Sequence, residues 1–548
     1  MTRIRRLNVL MTVLVLVGAF ASNSAGAASS SSGENDVLVK AACSLTKDEL
    51  VRIDRGVMPG RSGQILIVAR EPDFVGANYP HSGPWNYLQD IPMLFYGPGY
   101  IPAKGKLSAP VTMADVSPTE AELLHYNFPA PDGKPMPGAL VPADQRQTPP
   151  RLIFNLVYDA GGRDVLDTWN KEWPVLHSLI PKGVWYENAT AGSSPSITPA
   201  IHSSLGTGAY PDKAGQVDAD FELNGTPARS GDIGPGYEVE PTLADLYDRA
   251  MGNKPLVGNV ATVNWHQNML GHGAMWGGGD KDIEVLRQGF ASEGTEGNLW
   301  NLNKENLPFF TFPKYVNHLP PLSTYIPALD EADGARDGKW RSNSIAQLRN
   351  GWDTPARFPF ETNVIETVLK REGFGQDSTP DLFYSNYKVI DDVGHMWSLN
   401  SPEMKDAVAW QDQALGDLVK FLNKDVGKGK YVLLVTADHG HQYSTQVSGG
   451  YAVSPGQLQL DLNAHFDTND NGVSAIRDVR DTQIFVNESE LAKNGYSLED
   501  VSKWILSYTE GQANPPGQTA PDPSHQVFQA AFPASMLRTL PCMPSGAP

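Results

Sequence analysis

Apolar residues along this chain follow two different patterns. Short continuous apolar runs, of the kind found in buried strands, occur at residues 64–69, 91–96, 152–158, 256–263, 381–390, 431–436 and 482–486. Between them lie longer stretches such as residues 401–424, where apolar residues stand three and four positions apart, which is the helical period. Buried strands that alternate with helices predict an α/β fold with a mostly parallel central sheet flanked by helices. In such a fold, catalytic side chains are expected at the carboxyl ends of the strands.

The N-terminal residues have the organisation of an export signal. Arginines at the start precede an apolar stretch at residues 9–20, and small residues follow at 25–27. Because this apolar stretch is too short to span a bilayer comfortably, residues 1–27 are predicted to be a cleaved signal peptide and not a membrane anchor. The mature protein is therefore expected to be secreted or periplasmic and free of the membrane.

Composition narrows the class of protein further. The chain has 548 residues, of which 40% are hydrophobic, and this is enough for a large buried core. Its net charge of −19 disfavours a basic surface for nucleic-acid binding. Two cysteines exclude both a disulfide scaffold and a cysteine-ligated zinc fold. In an oxidising compartment Cys43 and Cys542 would be able to pair, the alternative being two unrelated free thiols.

Two motifs place a carboxylate and an imidazole together at the end of a predicted strand. Asp438 and His439 follow the run at 431–436, and Asp391 directly follows the run at 381–390, with His395 four residues later. Carboxylate and imidazole groups are suitable ligands for a divalent metal. A structural turn with a capping aspartate would be the ordinary alternative at each place.

Two further positions carry residue types that suit phosphoryl chemistry. Asp159 follows the run at 152–158, and Thr198 precedes a proline in a stretch of small residues that can begin a helix. A hydroxyl at a helix N-terminus faces the positive end of the helix dipole, which suits phosphate or sulfate. A metal would lower the pKa of this hydroxyl and make it a nucleophile. Alone, Thr198 would be an ordinary helix cap.

The order of these residues resembles the alkaline phosphatase superfamily, specifically its type I phosphodiesterase/nucleotide pyrophosphatase branch. The sequence TGAYP at 207–211 fixes the register of Thr198, and the resemblance covers most of residues 150–490. It implies an alkaline-phosphatase-like sandwich with an inserted cap region at about residues 264–375. It also implies a phosphoester hydrolase in which Thr198 attacks phosphorus and forms a covalent phospho-enzyme, which water then hydrolyses.

The resemblance also implies two divalent metal ions, for which zinc is the expected element, with manganese and iron as alternatives because the ligation is rich in carboxylates. One ion would be held by Asp159, Thr198, Asp438 and His439. The other would be held by Asp391, His395 and a third histidine from a late position in the family's order. Two ions about 4 Å apart would stabilise the attacking and leaving oxygens of an in-line displacement.

The segment that carries the family's third histidine occurs here near the start of the chain, where His81 precedes the run at 91–96. This order suggests a circular permutation, with His525 and His465 as the competing ligands. The implied division is a flexible segment, the usual C-terminal part of the fold, a linker and the main core, at residues 28–45, 46–138, 139–150 and 151–548. Cys43 and Cys542 would then lie close together at the new break.

Two other features depart from the family pattern or add to it. The asparagine that contacts phosphate in the diesterases is missing from its expected place, and Asn224 is the substitute candidate. The sequence DTNDNGVSAIRD at 467–478 has the spacing of an EF-hand calcium loop, the alternative being a polar turn. Its candidate calcium ligands are Asp467, Asn469, Asn471 and Asp478.

The leading hypothesis is therefore an exported, metal-dependent hydrolase of a small-molecule phosphate ester, with monoester and diester substrates both open. A carbon–phosphorus bond hydrolase of the same superfamily is one alternative, since it would use the same metals. A catalytically silent protein that binds a metal or ligand on this fold is the other, because a fold alone does not establish chemistry.

Overall fold

The computed structural model describes residues 31–146, 148–287, 300–469, 471–514 and 520–544, so the predicted signal peptide at 1–27 lies outside it. The strands are β1 (Ile65–Ala69), β2 (Phe74–Val75), β3 (Met93–Tyr96), β4 (Gly105–Thr112), β5 (Leu152–Tyr158), β6 (Val184–Thr190), β7 (Asp220–Leu223), β8 (Thr226–Arg229), β9 (Val257–Ala261), β10 (Asp282–Arg287), β11 (Trp300–Asn301), β12 (Phe310–Thr311), β13 (Lys339–Trp340), β14 (Asn343–Ser344), β15 (Asp381–Tyr387), β16 (Tyr431–Thr436), β17 (Ala452–Val453), β18 (Ile476–Val479), β19 (Gln483–Val486) and β20 (Phe528–Pro533). The helices are α1 (Ser31–Ala42), α2 (Lys47–Arg55), α3 (Asn86–Gln89), α4 (Val116–Leu123), α5 (Arg163–Thr168), α6 (Pro174–Leu179), α7 (Thr198–Thr207), α8 (Pro211–Ala214), α9 (Leu243–Ala250), α10 (Ile326–Asp330), α11 (Arg357–Glu372), α12 (Val389–Trp397), α13 (Pro402–Leu422), α14 (Thr445–Ser448), α15 (Pro455–Phe466), α16 (Glu488–Lys493), α17 (Leu498–Leu506) and α18 (Glu510–Ala513).

The central sheet has ten strands, nine of them in the order β11-β10-β9-β15-β5-β16-β3-β6-β4, with β12 beside β10. Strands β9, β15, β5 and β16 run parallel to their neighbours in this group. Strand β3 runs antiparallel to both β16 and β6. The predicted α/β class with a mostly parallel central sheet is therefore confirmed.

The centre of the sheet explains the continuous apolar runs in the sequence. Every residue of β5, β15 and β16 is buried. One group of helices packs α6, α11, α12 and α13 together, and another packs α4, α7 and α9 together. Because both faces of these strands are covered, side chains on both faces must be apolar, and no polar alternation is left in the sequence.

All seven apolar runs contain a strand, but two of them lie outside the central sheet. The runs at 64–69 and 482–486 form β1 and β19, which belong to a separate four-stranded sheet in the order β18-β19-β1-β20. The pairs within this sheet are antiparallel. An apolar run indicates burial, but it does not specify the partner strand, because pairing depends on contacts between distant parts of the chain.

The region at 264–375 is interwoven with the core. Strand β10 extends the central sheet beside β9, and α11 packs against α13. The division of the chain into a core and an inserted cap therefore remains a prediction. Among its described positions, the linker predicted at 139–150 contains neither a helix nor a strand.

The N-terminal part of the described chain differs from its expectation. Residues 28–45 were expected to be flexible, but they contain α1, which packs against β20 and α17. Leu38 and Ala42 of this helix are fully buried, which explains why it is held in place. Just beyond it, Cys43 and Cys542 are joined by a disulfide with Cα atoms 5.6 Å apart. No helix of the described residues has the length and apolar character that crossing a bilayer would require.

Candidate functional site

The carboxyl ends of β5, β15 and β16 bring the predicted site residues to one edge of the central sheet. Tyr158 at the end of β5 pairs with Tyr387 at the end of β15, and β16 lies in parallel on the other side of β5. Asp159 follows β5 directly, and Asp438 and His439 follow β16 by two and three residues. Asp159, Asp438 and His439 are fully buried. Strand order and register therefore collect residues that are up to 280 positions apart in the sequence (439 − 159).

Thr198 is the first residue of α7, and it is 2% exposed. Its Oγ1 lies 3.4 Å from Asp159 Oδ1 and 3.3 Å from His439 Nε2. The hydroxyl therefore stands where the unpaired N–H groups of the helix create a positive field, and beside a carboxylate and an imidazole. This is a suitable place for an oxygen that attacks an anionic phosphoryl group.

Asp159, Asp438 and His439 form a first group of metal-type ligands around Thr198. His439 Nε2 lies 3.3 Å from Asp438 Oδ2 and 3.7 Å from Asp159 Oδ1. His439 Nδ1 lies 3.0 Å from the carbonyl oxygen of Gly440 and must donate to it, so Nε2 carries no proton in the neutral ring. Burial lowers the pKa of His439 to about 3, so the ring is neutral at physiological pH.

A second group consists of Asp391, His395 and His81. His81 Nε2 and His395 Nε2 lie 3.2 and 3.3 Å from Asp391 Oδ1. Each ring uses Nδ1 to donate to a backbone carbonyl, that of Ser196 at 3.2 Å for His81 and that of Asn78 at 2.7 Å for His395. In each ring Nε2 is therefore the nitrogen that points at Asp391 Oδ1, and Nε2 carries no proton whenever the ring is neutral. Burial alone would lower the pKa of His395, but the neighbouring Asp391 outweighs burial and raises it to about 8, so this pair favours a cation between its nitrogen and oxygen.

The spacing within these groups fits divalent metal ions. A tetrahedral site with bonds of about 2.1 Å holds neighbouring ligand atoms about 3.4 Å apart. The nitrogen-to-oxygen distances in the two groups run from 3.2 to 3.7 Å. A histidine that ligates a metal usually donates its other ring N–H to a carbonyl or carboxylate, which fixes its tautomer and orientation. The three histidines of the two groups all do this.

His81 also connects the two groups. Its ring stacks on the ring of His439, with centroids 3.6 Å apart and an interplanar angle of 11°. It reaches the site from the segment between β2 and α3, whereas the other ligand candidates lie after β5, β6, β15 and β16. The N-terminal segment therefore contributes to a site that is otherwise built from the rest of the chain.

The competing histidines are engaged elsewhere. His525 Nε2 lies 2.7 Å from Asp73 Oδ2, and the ring of His465 packs on Phe466, 4.6 Å between centroids. His441 lies close to Asp391 and was not anticipated. Its Nδ1 accepts the backbone N–H of Gln442 at 2.9 Å, so its Nε2 carries the proton and differs from the three bare nitrogens.

Sequence reasoning also missed Lys388 and Asn386. Lys388 Nζ lies 3.0 Å from Asp159 Oδ1 and 2.6 Å from Asp391 Oδ2. Burial alone would lower the pKa of Lys388, but the carboxylates of Asp159 and Asp391 outweigh it, so its pKa is raised and the side chain is cationic. Asn386 Nδ2 donates to Asp159 Oδ2 at 3.0 Å. The signal for Lys388 is that it is a basic residue near the end of a strand-like run that is mostly apolar and aromatic.

Two buried histidines lie behind the first group. His202 Nε2 is 3.3 Å from Asp438 Oδ2, and His202 Nδ1 is 3.0 Å from Nδ1 of His266. His202 was detectable in principle, because it follows Thr198 by one helical turn and so lies on the same face of α7. His266 comes from the 3₁₀ turn Asn264–Met269, where no local pattern indicates that it faces the site.

A cavity of about 330 Å³ opens beside the second group. Its lining includes Lys388, Asp391 and His395 together with Arg229, Trp265 and Trp352. A small molecule can therefore reach the second group, through a cavity whose wall carries cationic, carboxylate and aromatic side chains together.

Asn224, the substitute candidate for the phosphate contact, does not lie in this cavity. It stands in the turn between β7 and β8 with its side chain exposed and with a left-handed backbone conformation, φ 54°. This conformation is favourable for asparagine in a tight turn, which accounts for its position without a substrate.

The candidate calcium loop is arranged differently from its expectation. Asn469 and Asn471 both donate to Glu490 Oε1, at 2.5 and 2.6 Å. Asp467 Oδ2 accepts the backbone N–H of Ala475 at 3.3 Å. Asp478 does not join them, because it lies in β18 and pairs with Arg480 at 2.6 Å. The strand takes the expected last ligand away from the loop, and calcium binding here remains a prediction.

Comparisons with known proteins agree with the order of the motifs. The sequence model of the type I phosphodiesterase / nucleotide pyrophosphatase family matches residues 154–504, more than half of the chain. Alkaline phosphatase PafA of Elizabethkingia meningoseptica is 25% identical over 404 residues, which are 65% of this chain and 73% of that protein. Alkaline phosphatase PhoV of Synechococcus elongatus is 24% identical over 339 residues, and this alignment spans 55% of this chain and 60% of the length of PhoV. The crystal structure of wild-type PafA superimposes with a TM-score of 0.47 and 16% identity, over 70% of this chain and 84% of that one.

Proposed function

The chain belongs to the type I phosphodiesterase / nucleotide pyrophosphatase family of phosphoric ester hydrolases, and we propose that it is an exported, two-metal hydrolase with Thr198 as its nucleophile. The observation that carries this proposal is the tautomer pattern of His81, His395 and His439. Each donates Nδ1–H to a backbone carbonyl and directs Nε2 at a carboxylate oxygen 3.2–3.3 Å away. A nitrogen and a carboxylate oxygen that face each other need a cation between them, and a divalent metal ion would take the place that a proton otherwise fills.

The ligand types support zinc in both places. Asp391, His395 and His81 would hold one ion, and Asp159, Asp438, His439 and Thr198 would hold the other. Carboxylate oxygen and imidazole nitrogen are common zinc ligands at bond lengths of about 2.0–2.2 Å. Two such ions would supply Lewis-acid stabilisation of the charge that develops on the attacking and leaving oxygens.

The chain's own residues would arrange the displacement. Thr198 Oγ1 attacks phosphorus and forms a new P–O bond as the ester oxygen leaves, which gives a phosphothreonine that water then hydrolyses. The N-terminus of α7 places this oxygen in a positive field that favours the anionic phosphoryl group. The burial of Thr198, at 2% exposure, limits the access of competing water to the nucleophile. The substrate is a small-molecule phosphate ester that fits the cavity beside Lys388 and Trp265.

Export and permutation belong to the same proposal. The N-terminal sequence has the features of a signal peptide, and a disulfide such as Cys43–Cys542 persists in an oxidising compartment. The family match begins at residue 154, in β5, and leaves residues 46–138 outside it. That earlier segment nevertheless supplies β3, which lies between β16 and β6, and His81 at the site. This combination is what a circular permutation of the family's fold would produce.

The test is hydrolysis of p-nitrophenyl phosphate and of bis-p-nitrophenyl phosphate by metal-loaded protein, each with and without EDTA. We expect a rate on at least one ester that EDTA abolishes and zinc restores. Thr198→Ala should abolish this rate while the protein loses no more than one of its metal ions. The control Thr539→Ala, at an exposed threonine, should leave the rate unaltered. An EDTA-insensitive rate, or full activity in Thr198→Ala, would refute the proposal. Ligand binding without turnover on either ester would favour a silent binding protein instead.

A further inference from the structure

Lys388 connects the two groups of ligand candidates with a single buried ammonium. Its Nζ lies 3.0 Å from Asp159 Oδ1 in the first group and 2.6 Å from Asp391 Oδ2 in the second. Its side chain is 6% exposed. Because the lysine follows β15 directly, the strand end fixes where its side chain starts, and the two carboxylates fix where it ends.

The ammonium and the two histidines of the second group use different oxygens of Asp391. Asp391 divides its oxygens, since Oδ1 faces His81 and His395 whereas Oδ2 faces Lys388. Asp159 Oδ1 faces Lys388 and Thr198, and a carboxylate oxygen has two lone pairs to share between a cation and an N–H donor. Lys388 therefore does not need to leave its partners when the metal-type ligands are used.

One donor of this ammonium remains for a substrate. A protonated lysine has three N–H groups, and two of them are accounted for by Asp159 and Asp391. Within the part of the chain that the structure describes, Nζ has no third hydrogen-bond acceptor. Lys388 lines the cavity of about 330 Å³ that also contains Arg229. The third N–H is therefore available to a molecule that enters this cavity beside the second ligand group.

A charged contact of this kind would serve the proposed reaction. Asp159 and Asp391 would each hold a metal ion that stabilises phosphoryl charge, and Lys388 Nζ lies between these two carboxylates. The expected contact from Asn224 is absent from the cavity, since that side chain is exposed in the β7–β8 turn. A monoester carries two negative charges on its phosphoryl group at neutral pH, whereas a diester carries one, so an added fixed cation favours the monoester.

From this geometry we infer that Lys388 determines specificity, by donating its third N–H to a non-bridging phosphoryl oxygen and so selecting phosphate monoesters over diesters. The inference rests on the proposed function, because it assigns the substrate class of the same site. Two carboxylates hold the ammonium before the substrate arrives, so the contact needs little reorganisation during the reaction.

The test compares metal-loaded wild type with Lys388→Met, and uses Lys420→Met, an exposed lysine on α13, as the matched control. We expect kcat/KM for p-nitrophenyl phosphate to fall by about 10²–10³, the usual effect of removing one preorganised donor, and kcat/KM for bis-p-nitrophenyl phosphate to fall by less than about tenfold. Calorimetry with inorganic phosphate should show at least about tenfold weaker binding, in line with the loss of one charge-assisted hydrogen bond. Two metal ions should remain bound in the variant. Lys388→Gln, which keeps N–H donors without the charge, replaces the methionine variant if the latter does not fold.

Equal losses on the two esters, or a loss of bound metal with no change in their ratio, would overturn the inference and leave Lys388 as a structural bridge between Asp159 and Asp391. If wild type shows no EDTA-sensitive hydrolysis at all, the proposed function fails first. The calorimetric comparison then still decides the role of Lys388, because unchanged phosphate binding in the variant contradicts it and weakened binding supports it.

Discussion

Replacing His81 tests whether the N-terminal segment supplies a metal ligand. His81→Gln removes a bare Nε2 that lies 3.2 Å from Asp391 Oδ1 and leaves His395 and Asp391 to hold the ion. Glutamine is close to histidine in size, so the buried position keeps most of its packing. The matched control is His525→Gln, because His525 was the rival candidate in the sequence and pairs instead with Asp73.

The size of the effect follows from the number of ligands. Structural zinc sites with four protein ligands bind with an apparent free energy of about 10–16 kcal/mol, which is about 2.5–4 kcal/mol for each ligand. At 1.4 kcal/mol for each factor of ten, the loss of one ligand weakens binding by roughly 10²–10³-fold. We therefore expect His81→Gln to retain the ion at Asp159 and His439 but to lose the ion at Asp391 under mild chelation.

The assay is metal analysis by mass spectrometry after dialysis against a buffered free zinc concentration, together with a competition titration against a chromophoric chelator. Wild type and His525→Gln should retain two ions per chain, and His81→Gln should retain one. Circular dichroism should be the same for all three proteins. Two ions retained with unchanged affinity in His81→Gln would refute both the ligand assignment and the argument from the histidine tautomers. Loss of an ion from His525→Gln but not from His81→Gln would instead indicate that His525 is the third ligand and that the chain is not permuted.

Three other predictions concern the nucleophile, the chain ends and the strand ends. Thr198→Ser should retain measurable EDTA-sensitive hydrolysis, because it keeps the attacking oxygen, and activity no greater than that of Thr198→Ala would contradict the assigned role. Cys43→Ser combined with Cys542→Ser should lower the free energy of unfolding by about 2–5 kcal/mol in urea titrations, since the disulfide closes a loop across 499 positions, and an unchanged midpoint would contradict it. Gly162→Ala would place a Cβ 2.4 Å from the Cα of Gly440. It should therefore lower the free energy of unfolding by about 1–3 kcal/mol, measured by calorimetry, and lower metal retention. No change in either quantity would show that the segments after β5 and β16 are not tightly coupled.

The sequence alone was sufficient to predict the type of fold, and it named most of the side chains that the structure brings together at the candidate site. The continuous apolar runs at 152–158 and 431–436 indicate strands buried on both faces, and this local pattern survives in β5 and β16 because side-chain burial there is complete. Asp159, Asp391 and Asp438 could be recognised because each follows such a strand, and parallel strands in register bring their carboxyl ends to one edge.

Other features depend on contacts that no local pattern encodes. The run at 64–69 has the same apolar character as the central strands, yet it pairs in a separate antiparallel sheet, because strand pairing is decided by distant partners. The placement of residues 31–42 as a packed helix likewise depends on β20, which comes almost 500 positions later in the chain (528 − 42 = 486).

The same distinction applies to the site. Motif spacing identified which residue types to expect, but the Nδ1 contacts that orient His81 and His395 as candidate ligands depend on backbone carbonyls of other segments. The role of Lys388 depends on two carboxylates, one of them more than 200 positions away (388 − 159 = 229). The sequence by itself determined the elements and the donor types, because these follow from local periodicity and side-chain chemistry. Only the tertiary structure decided which donors meet, since hydrogen bonds and ion pairs are set by distances of a few ångströms between residues far apart in the chain.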